Sequence, residues 1–291
     1  MQIKAITPDF VAEITEIDLR LPLSDAQVAE IDRVMDQFAV VVFPAQELND
    51  DQEFAFAKRL GPLEETRAVV DVHKQRLAYN QMNDISNLDT DGSILALDDR
   101  RRMFNLGNLL WHSDSSFKAT PAKYSMLHAR VIPPEDGNTE FADMRAAWDR
   151  LPEKTKHQIE SLVCDHSLIY SRAQLGFDSF TEQELINYTP VPQRLVRRHP
   201  GSHRKSIYLA SHIGTVHGMP RPEAMVLIRD LIEHATAREF VYSHKWKQFD
   251  LVMWDNRCTM HRARPYDDKN HKRDMRRMTL TDCAPTLEQP A

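Results

Sequence analysis

Three cysteines, Cys164, Cys258 and Cys283, are all the thiols in 291 residues, and none lies at a metal-type spacing from another. An odd, scattered set argues against a disulfide framework and favours a reducing compartment. No run approaches the ~18 apolar residues of a membrane span. The opening Met-Gln-Ile-Lys-Ala-Ile-Thr-Pro also lacks the apolar core of a secretory signal. A cytoplasmic protein with no membrane partner is expected. Positive charge is not in excess either: the formal net charge is −6, so the overall field does not draw the chain to nucleic acid. Basic residues cluster only locally, at Arg100-Arg101-Arg102, Arg197-Arg198, Lys272-Arg273 and Arg276-Arg277, as solvated faces or as sites for a small acid. No repeat, low-complexity tract or linker divides the chain. With 42% hydrophobic and 27% charged residues it has the composition of a globular protein with a core, and its length fits one large domain.

Residues 24–38 are predicted to form a helix: Ser24 with Gln27 makes a capping box, and Val28, Ile31, Met35 and Phe38 recur at helical spacing. A buried strand over 39–43 follows and is stopped by Pro44. Asn49 with Gln52 caps a second helix, Phe54 and Ala57 inward, which ends at Gly61-Pro62. Over 62–108 no period survives, so this stretch reads as a lid or substrate loop, with a plain insertion as the alternative. Strand-like runs lie at 124–131, 139–142, 195–199, 206–210, 239–242, 251–254 and 275–280. Helical insertions interrupt them at 144–163, divided by Pro152, and at 222–234, with Pro222 at its first position. Many short strands between turn signals point to a mainly β sandwich or barrel with flanking helices, one domain over 1–291.

His112-Ser113-Asp114 follows Trp111, and His261 stands 147 positions beyond Asp114, after Trp254-Asp255-Asn256-Arg257. Two imidazoles and one carboxylate can occupy one face of an octahedral metal and leave the other open, as in non-haem Fe(II) oxygenases. On a strand, His112 and Asp114 would aim to one side, with Ser113 pointing away. Spacing alone leaves His199, His203, His212, His217 and His244 as rivals to His261, and zinc as a rival metal. A 2-oxoacid cosubstrate would separate the metals, because its far carboxylate needs a cation and arginine matches it with two parallel hydrogen bonds. Arg273 and Arg277 lie 12 and 16 residues beyond His261, and alternation puts both on one face, with Arg276 on the other. An exposed charged strand edge would give the same spacing.

Taken together, these residues resemble the taurine dioxygenase family of Fe(II)/2-oxoglutarate-dependent dioxygenases. The similarity is closest to the branch of 2,4-dichlorophenoxyacetate and other aryloxyalkanoate dioxygenases, and it spans nearly the whole chain. It is carried by Asn108-Leu109-Leu110-Trp111-His112-Ser113-Asp114-Ser115-Ser116-Phe117 and by Gly137-Asn138-Thr139-Glu140-Phe141-Ala142-Asp143-Met144. Arg238-Glu239-Phe240-Val241-Tyr242, Trp254-Asp255-Asn256-Arg257 before His261, and Arg273-Asp274-Met275-Arg276-Arg277-Met278-Thr279 complete it. The resemblance implies a double-stranded β-helix, a jelly-roll of two sheets with Fe(II) between them. It implies His112, Asp114 and His261 as iron ligands. Thr139 and Arg273 are implied on the distal carboxylate of 2-oxoglutarate, and Arg277 on its C1 carboxylate and the acidic group of the substrate. Trp254 would line the cosubstrate site, and Asn108 would be an active-site asparagine.

The implied activity uses 2-oxoglutarate and O₂ as cosubstrates. It hydroxylates a small carboxylic acid next to its ether oxygen, and the product falls apart into a phenol and an oxoacid. A sulfonate or alkyl-sulfate dioxygenase on the same scaffold is the alternative. A non-catalytic jelly-roll binding protein would need a broken triad, and a zinc hydrolase would leave Thr139, Arg273 and Arg277 without a role. Arg277 is the first candidate for the substrate's acid group, and at least one cation among Arg67, His73, Lys74, Arg100, Arg101 and Arg102 is expected to help it. His199 and His212 lie in or near the strands at 195–210, as bystanders or neighbours of the site. Relatives of this kind are commonly homo-oligomers, and the same is expected here.

Overall fold

The computed structural model describes residues 1–65 and 76–290. The chain opens with β1 (Gln2–Ala5), β2 (Val11–Thr15), α1 (Asp25–Phe38), β3 (Val40–Phe43), α2 (Asp50–Leu60) and β4 (Met82–Ser86). Next, α3 (Arg100–Asn105) runs into a 3-10 turn, Leu106–Leu109, ahead of β5 (Ala122–Val131) and β6 (Thr139–Asp143). The middle holds α4 (Met144–Asp149), α5 (Glu153–Ile159), β7 (Val163–His166), α6 (Leu168–Ala173), α7 (Glu182–Asn187), β8 (Val191–Arg194), β9 (Val196–Arg198), β10 (Lys205–Ile207) and β11 (Ile213–Val216). Last come α8 (Arg221–Ala235), β12 (Val241–His244), β13 (Leu251–Asp255), β14 (Thr259–Ala263) and β15 (Asp274–Thr281).

Among the described residues, seven strands form a sheet in the order β1-β2-β3-β13-β5-β15-β4, antiparallel except where β2 meets β3. A smaller sheet, β12-β6-β14, faces it, with β11-β7-β8 and the pair β10-β9 beside it. Strand alternation sorts the large sheet into two cores. Val41, Phe43, Met126, Leu251, Met253, Met278 and Leu280 pack beneath α1 and α2. Val40, Val42, Leu127, Ala129, Val252, Trp254 and Met275 point the other way, toward Phe141 of the small sheet. This mainly β double-sheet architecture with flanking helices is the predicted jelly-roll.

Both N-terminal helices carry the predicted capping boxes, Ser24 with Gln27 and Asn49 with Gln52. Several elements differ from the sequence reading: the strand expected at 206–210 is β10, Lys205–Ile207, and β1, β2, α6, α7, β8 and β11 carry no strong local signal. The 62–108 stretch is not uniformly irregular: β4 pairs with β15 at the sheet edge, and α3 sits in the stretch as well. The strand expected at 239–242 starts as a 3-10 turn, Arg238–Phe240, because Arg238 and Glu239 are exposed and ladder pairing with β6 begins only at Val241. The helix expected to reach 163 stops at Ile159, and Val163 instead opens β7, which pairs with β8 and β11.

Candidate metal centre and its two cavities

His112 and His261 stand opposite one another as an isolated antiparallel bridge, His112 N–H to the His261 carbonyl at 3.0 Å and His261 N–H to the His112 carbonyl at 2.8 Å. His112 therefore belongs to no strand, and the chain turns at Asp114 rather than continuing extended. The i, i+2 argument gave the right convergence for the wrong local reason. One ligand atom each from His112, Asp114 and His261 lies within 4.8 Å of the others, and all three residues are buried.

The tautomer of His112 follows from its neighbour. Leu110 offers a carbonyl to Nδ1 at 2.7 Å, so Nδ1 carries the proton and Nε2 keeps its lone pair. Nε2 of His112 stands 3.8 Å from Asp114 Oδ1, and Nε2 of His261 stands 3.6 Å from Oδ2, both beyond hydrogen-bonding distance. Burial lowers the pKa of His112 and takes His261 down to about 3, with the His112 imidazole adding to the effect on His261. Burial alone would raise Asp114, but the Arg277 guanidinium foremost, with the Ser125 hydroxyl, outweighs it and holds the carboxyl well below its usual range. Two neutral imidazoles and one carboxylate is the donor set that a divalent iron accepts, and these side chains fit such an ion.

Residues that the sequence reading did not single out fix Asp114 in place. Its Oδ2 accepts from Ser125 Oγ at 2.7 Å, and its backbone N–H donates to Asn256 Oδ1 at 3.0 Å. Asn256 also accepts from Trp254 Nε1 at 3.0 Å and donates to Ser125 at 2.9 Å. Nothing in a lone serine on β5 signals this role; Asn256 was visible only as a member of its motif.

Two cavities meet at the triad. The first, of about 270 Å³, is lined by Thr139, Trp254, Arg273, Arg277 and Tyr266 as well as by His112 and His261. Arg273 is buried, and among the described residues no carboxylate lies within ion-pairing distance and its Nε has no partner. Burial pulls its pKa down to about 10, so it remains a cation near neutral pH. Thr139 Oγ accepts from Trp246 Nε1 at 3.0 Å, which leaves its own proton to donate elsewhere. The second cavity, about 220 Å³, holds Phe104, Phe117, Leu168, Arg172 and His212 beside the triad. Arg277 and Asn108 line both. Arg276 lies on the opposite face with Asp274, as alternation predicted.

The remaining candidates separate cleanly. Arg100 pairs with Glu184 at 2.6 Å, Arg101 with Asp99 at 2.9 Å and Arg102 with Asp268 at 2.9 Å. Arg67, His73 and Lys74 lie outside the described residues. Among the rival histidines, His217 bonds Asp165 at 2.7 Å and His244 bonds Asp250 at 3.1 Å. His203 lies outside the three-ligand clusters found among the described residues. His212 lines the second cavity and engages Ser116 at 2.9 Å through Nδ1. His199 donates to Asp255 at 2.8 Å and accepts from the Ser202 N–H. His199, Asp255 and Cys258 form a second buried cluster, but Arg257 claims both Asp255 oxygens and burial pushes the Cys258 thiol up, so it is a structural ion network.

Among the described residues no helix is long and apolar enough to cross a membrane. The sequence pattern described as "Taurine catabolism dioxygenase TauD, TfdA family" matches residues 2–279. An alpha-ketoglutarate-dependent 2,4-dichlorophenoxyacetate dioxygenase of Cupriavidus pinatubonensis is 46% identical, over 95% of this chain and 96% of that protein. An (S)-phenoxypropionate/alpha-ketoglutarate-dioxygenase of Sphingobium herbicidovorans is 37% identical over 89% of this chain and 87% of its own length. The crystal structure of AAD-2 in complex with Mn(II) and N-oxalylglycine superposes with a TM-score of 0.90 at 51% identity, covering 99% of both chains.

Proposed function

The chain belongs to the taurine catabolism dioxygenase TauD, TfdA family and is a 2-oxoglutarate-dependent dioxygenase, and from that premise we propose that it oxidises an aryloxyalkanoic acid at the carbon bearing the ether oxygen. His112, Asp114 and His261 would hold Fe(II). Arg273 and Thr139 would take the far carboxylate of 2-oxoglutarate, with Trp254 and Arg277 lining the rest of its seat. Bound together, Fe(II), 2-oxoglutarate and O₂ supply an oxidant that converts a substrate C–H to C–OH, while 2-oxoglutarate becomes succinate and CO₂.

The protein's part is position and charge. Leu110 keeps the His112 lone pair on Nε2, and Ser125 and Asn256 keep Asp114 aimed at the two imidazoles. Arg277 and Asn108 stand where the cavities join, and would orient both acids. A misplacement of about an ångström can cost on the order of a hundredfold in rate, which is why such fixed side chains matter. The hydroxylated carbon would carry both an OH and an O-aryl group; its bond to the aryl oxygen breaks as the hydroxyl oxygen forms the carbonyl and gives up its proton to the departing oxygen, which releases a phenol and leaves an oxoacid. The 62–108 segment contributes Met82, Ile85, Leu95 and Phe104 to the substrate wall, in keeping with a covering role.

The observation that carries this proposal is Arg273, a buried guanidinium that no acid among the described residues faces, in the cavity that also takes in His112 and His261 of the two-imidazole, one-carboxylate cluster. Such a charge calls for an anionic ligand. The test is anaerobic addition of Fe(II) and 2-oxoglutarate, expected to give a weak visible charge-transfer band that is lost in His112→Ala and Asp114→Ala. Admitting O₂ with phenoxyacetate should then yield succinate and phenol. Succinate from taurine or alkyl sulfates, and none from aryloxyalkanoates, would move the chain to the sulfonate and sulfate branch.

A further inference from the structure

We propose that Arg172 is the side chain that takes the acid group of the substrate, which deepens the function proposed above and rests on it. Among the described residues, five cations line the second cavity. Four are already matched with acids: Arg277 with Asp114, Arg101 with Asp99, Arg76 with Asp84 and Asp274, and Lys118 with Glu64. Arg172, on α6, is the exception among the described residues. It is only 6% exposed, donates from Nη1 to the neutral hydroxyl of Ser171 at 2.9 Å, and leaves Nε with no partner. A buried cation facing no anion is costly unless a ligand supplies the charge.

Its surroundings hold it for that purpose. The guanidinium lies over the Phe104 ring, 4.5 Å from the centroid. The main chain of Gly107 also comes against it, so close that a Cβ at that position would fall 2.2 Å from Arg172 Cζ. Only a residue without a side chain lets the 3-10 turn approach in this way. Phe104, Phe117 and Leu168 make the neighbouring walls apolar. Among the described residues it is the one cation of this cavity that no acid pairs, and with apolar side chains beside it, it fits a monoanion with a hydrophobic body. Arg277, whose charge is shared with Asp114, is then the orienting partner of the metal ligand rather than the main substrate anchor.

The test compares phenoxyacetate with its neutral isostere phenoxyacetamide on the Fe(II)·2-oxoglutarate enzyme. Anaerobic binding is read from the perturbed visible band, and aerobic turnover gives KM and kcat. Arg172→Gln should raise Kd and KM for phenoxyacetate by about 10- to 100-fold, the loss of a charge-assisted hydrogen bond. It should leave the 2-oxoglutarate KM and the amide's Kd unchanged, and Arg172→Lys should recover part of the loss. Gly107→Ala keeps the charge and displaces the guanidinium, so it should also raise the acid's KM, and it serves if Arg172→Gln folds poorly. The proposal is overturned if acid and amide change together, if the acid's constants do not move, or if the 2-oxoglutarate KM moves with them. Wild-type enzyme that neither binds nor turns over phenoxyacetate would overturn the substrate class itself, and this proposal with it.

Discussion

Arg277 donates from Nη1 to Oδ1 of Asp114 at 2.7 Å, so the charge that could serve a substrate is partly committed to a metal-ligand candidate. The pair links β15 of the large sheet to the turn after His112, and it sits where both cavities open. Asp114 is thus held from two sides, by a cation on one oxygen and by the Ser125 hydroxyl on the other.

Removing that hold should loosen the metal. Arg277→Gln is expected to weaken Fe(II) binding by about 10- to 100-fold, the usual cost of losing a group that orients a ligand. Anaerobic metal titration, followed by the visible band at saturating 2-oxoglutarate, measures it. Unchanged affinity would mean that Ser125 and Asn256 suffice.

Arg273 should show opposite effects on stability and function. With no acid among the described residues beside it, its guanidinium costs free energy until a ligand arrives, so Arg273→Met is expected to raise the melting temperature of the ligand-free protein. The same change should raise the KM for 2-oxoglutarate at least ~10-fold, since a charge-assisted pair is lost. A melting temperature that falls would show that the side chain is already compensated.

Asp255 carries the structural counterpart of the metal-ligand carboxylate. It accepts from His199 and, through both oxygens, from Arg257, all of them buried. Asp255→Asn strands the Arg257 charge and should cost about 3–5 kcal/mol of stability. Chemical denaturation reads this loss, while the fraction that remains folded should still form the 2-oxoglutarate band.

Acid should destabilise the protein partly through His166. Its ring is fully buried, neither nitrogen has a partner among the described residues, and burial takes its pKa to about 3 from an ordinary 6.5. A depressed histidine pKa means that the unfolded chain binds the proton first. Its contribution is therefore intact above about pH 6.5 and erodes as pH falls toward 3, by on the order of 1.4 kcal/mol per unit. His166→Phe should flatten the dependence of unfolding free energy on pH in this window; an unaltered slope would exclude the residue as a source of acid sensitivity.

Much of this was legible in the sequence, for identifiable reasons. The capping boxes of α1 and α2 and the apolar runs of β3, β5, β13 and β15 are local signals, and the fold kept them. His112, Asp114, His261, Arg273 and Arg277 stood out because their chemistry is rare in that pattern. Short strands such as β7 and β8 escaped because polar residues interrupt them, Asp165 in one and Gln193 in the other. Arg172 escaped for a different reason. Its meaning depends on Gly107 and Phe104, more than sixty positions earlier, and on the acids that engage the other described cations of its cavity.

The reciprocal amide bonds between residues 112 and 261 act as a gauge set in the peptide chain itself. Because these bonds need no imidazole, swapping either ring for another donor should leave the gap between the two positions unaltered. Slow amide hydrogen exchange at both residues, retained in His112→Ala and His261→Ala, would be its signature. A scaffold dimensioned in this way can be re-equipped for a different ion one donor at a time, with no need to rebuild the frame around it.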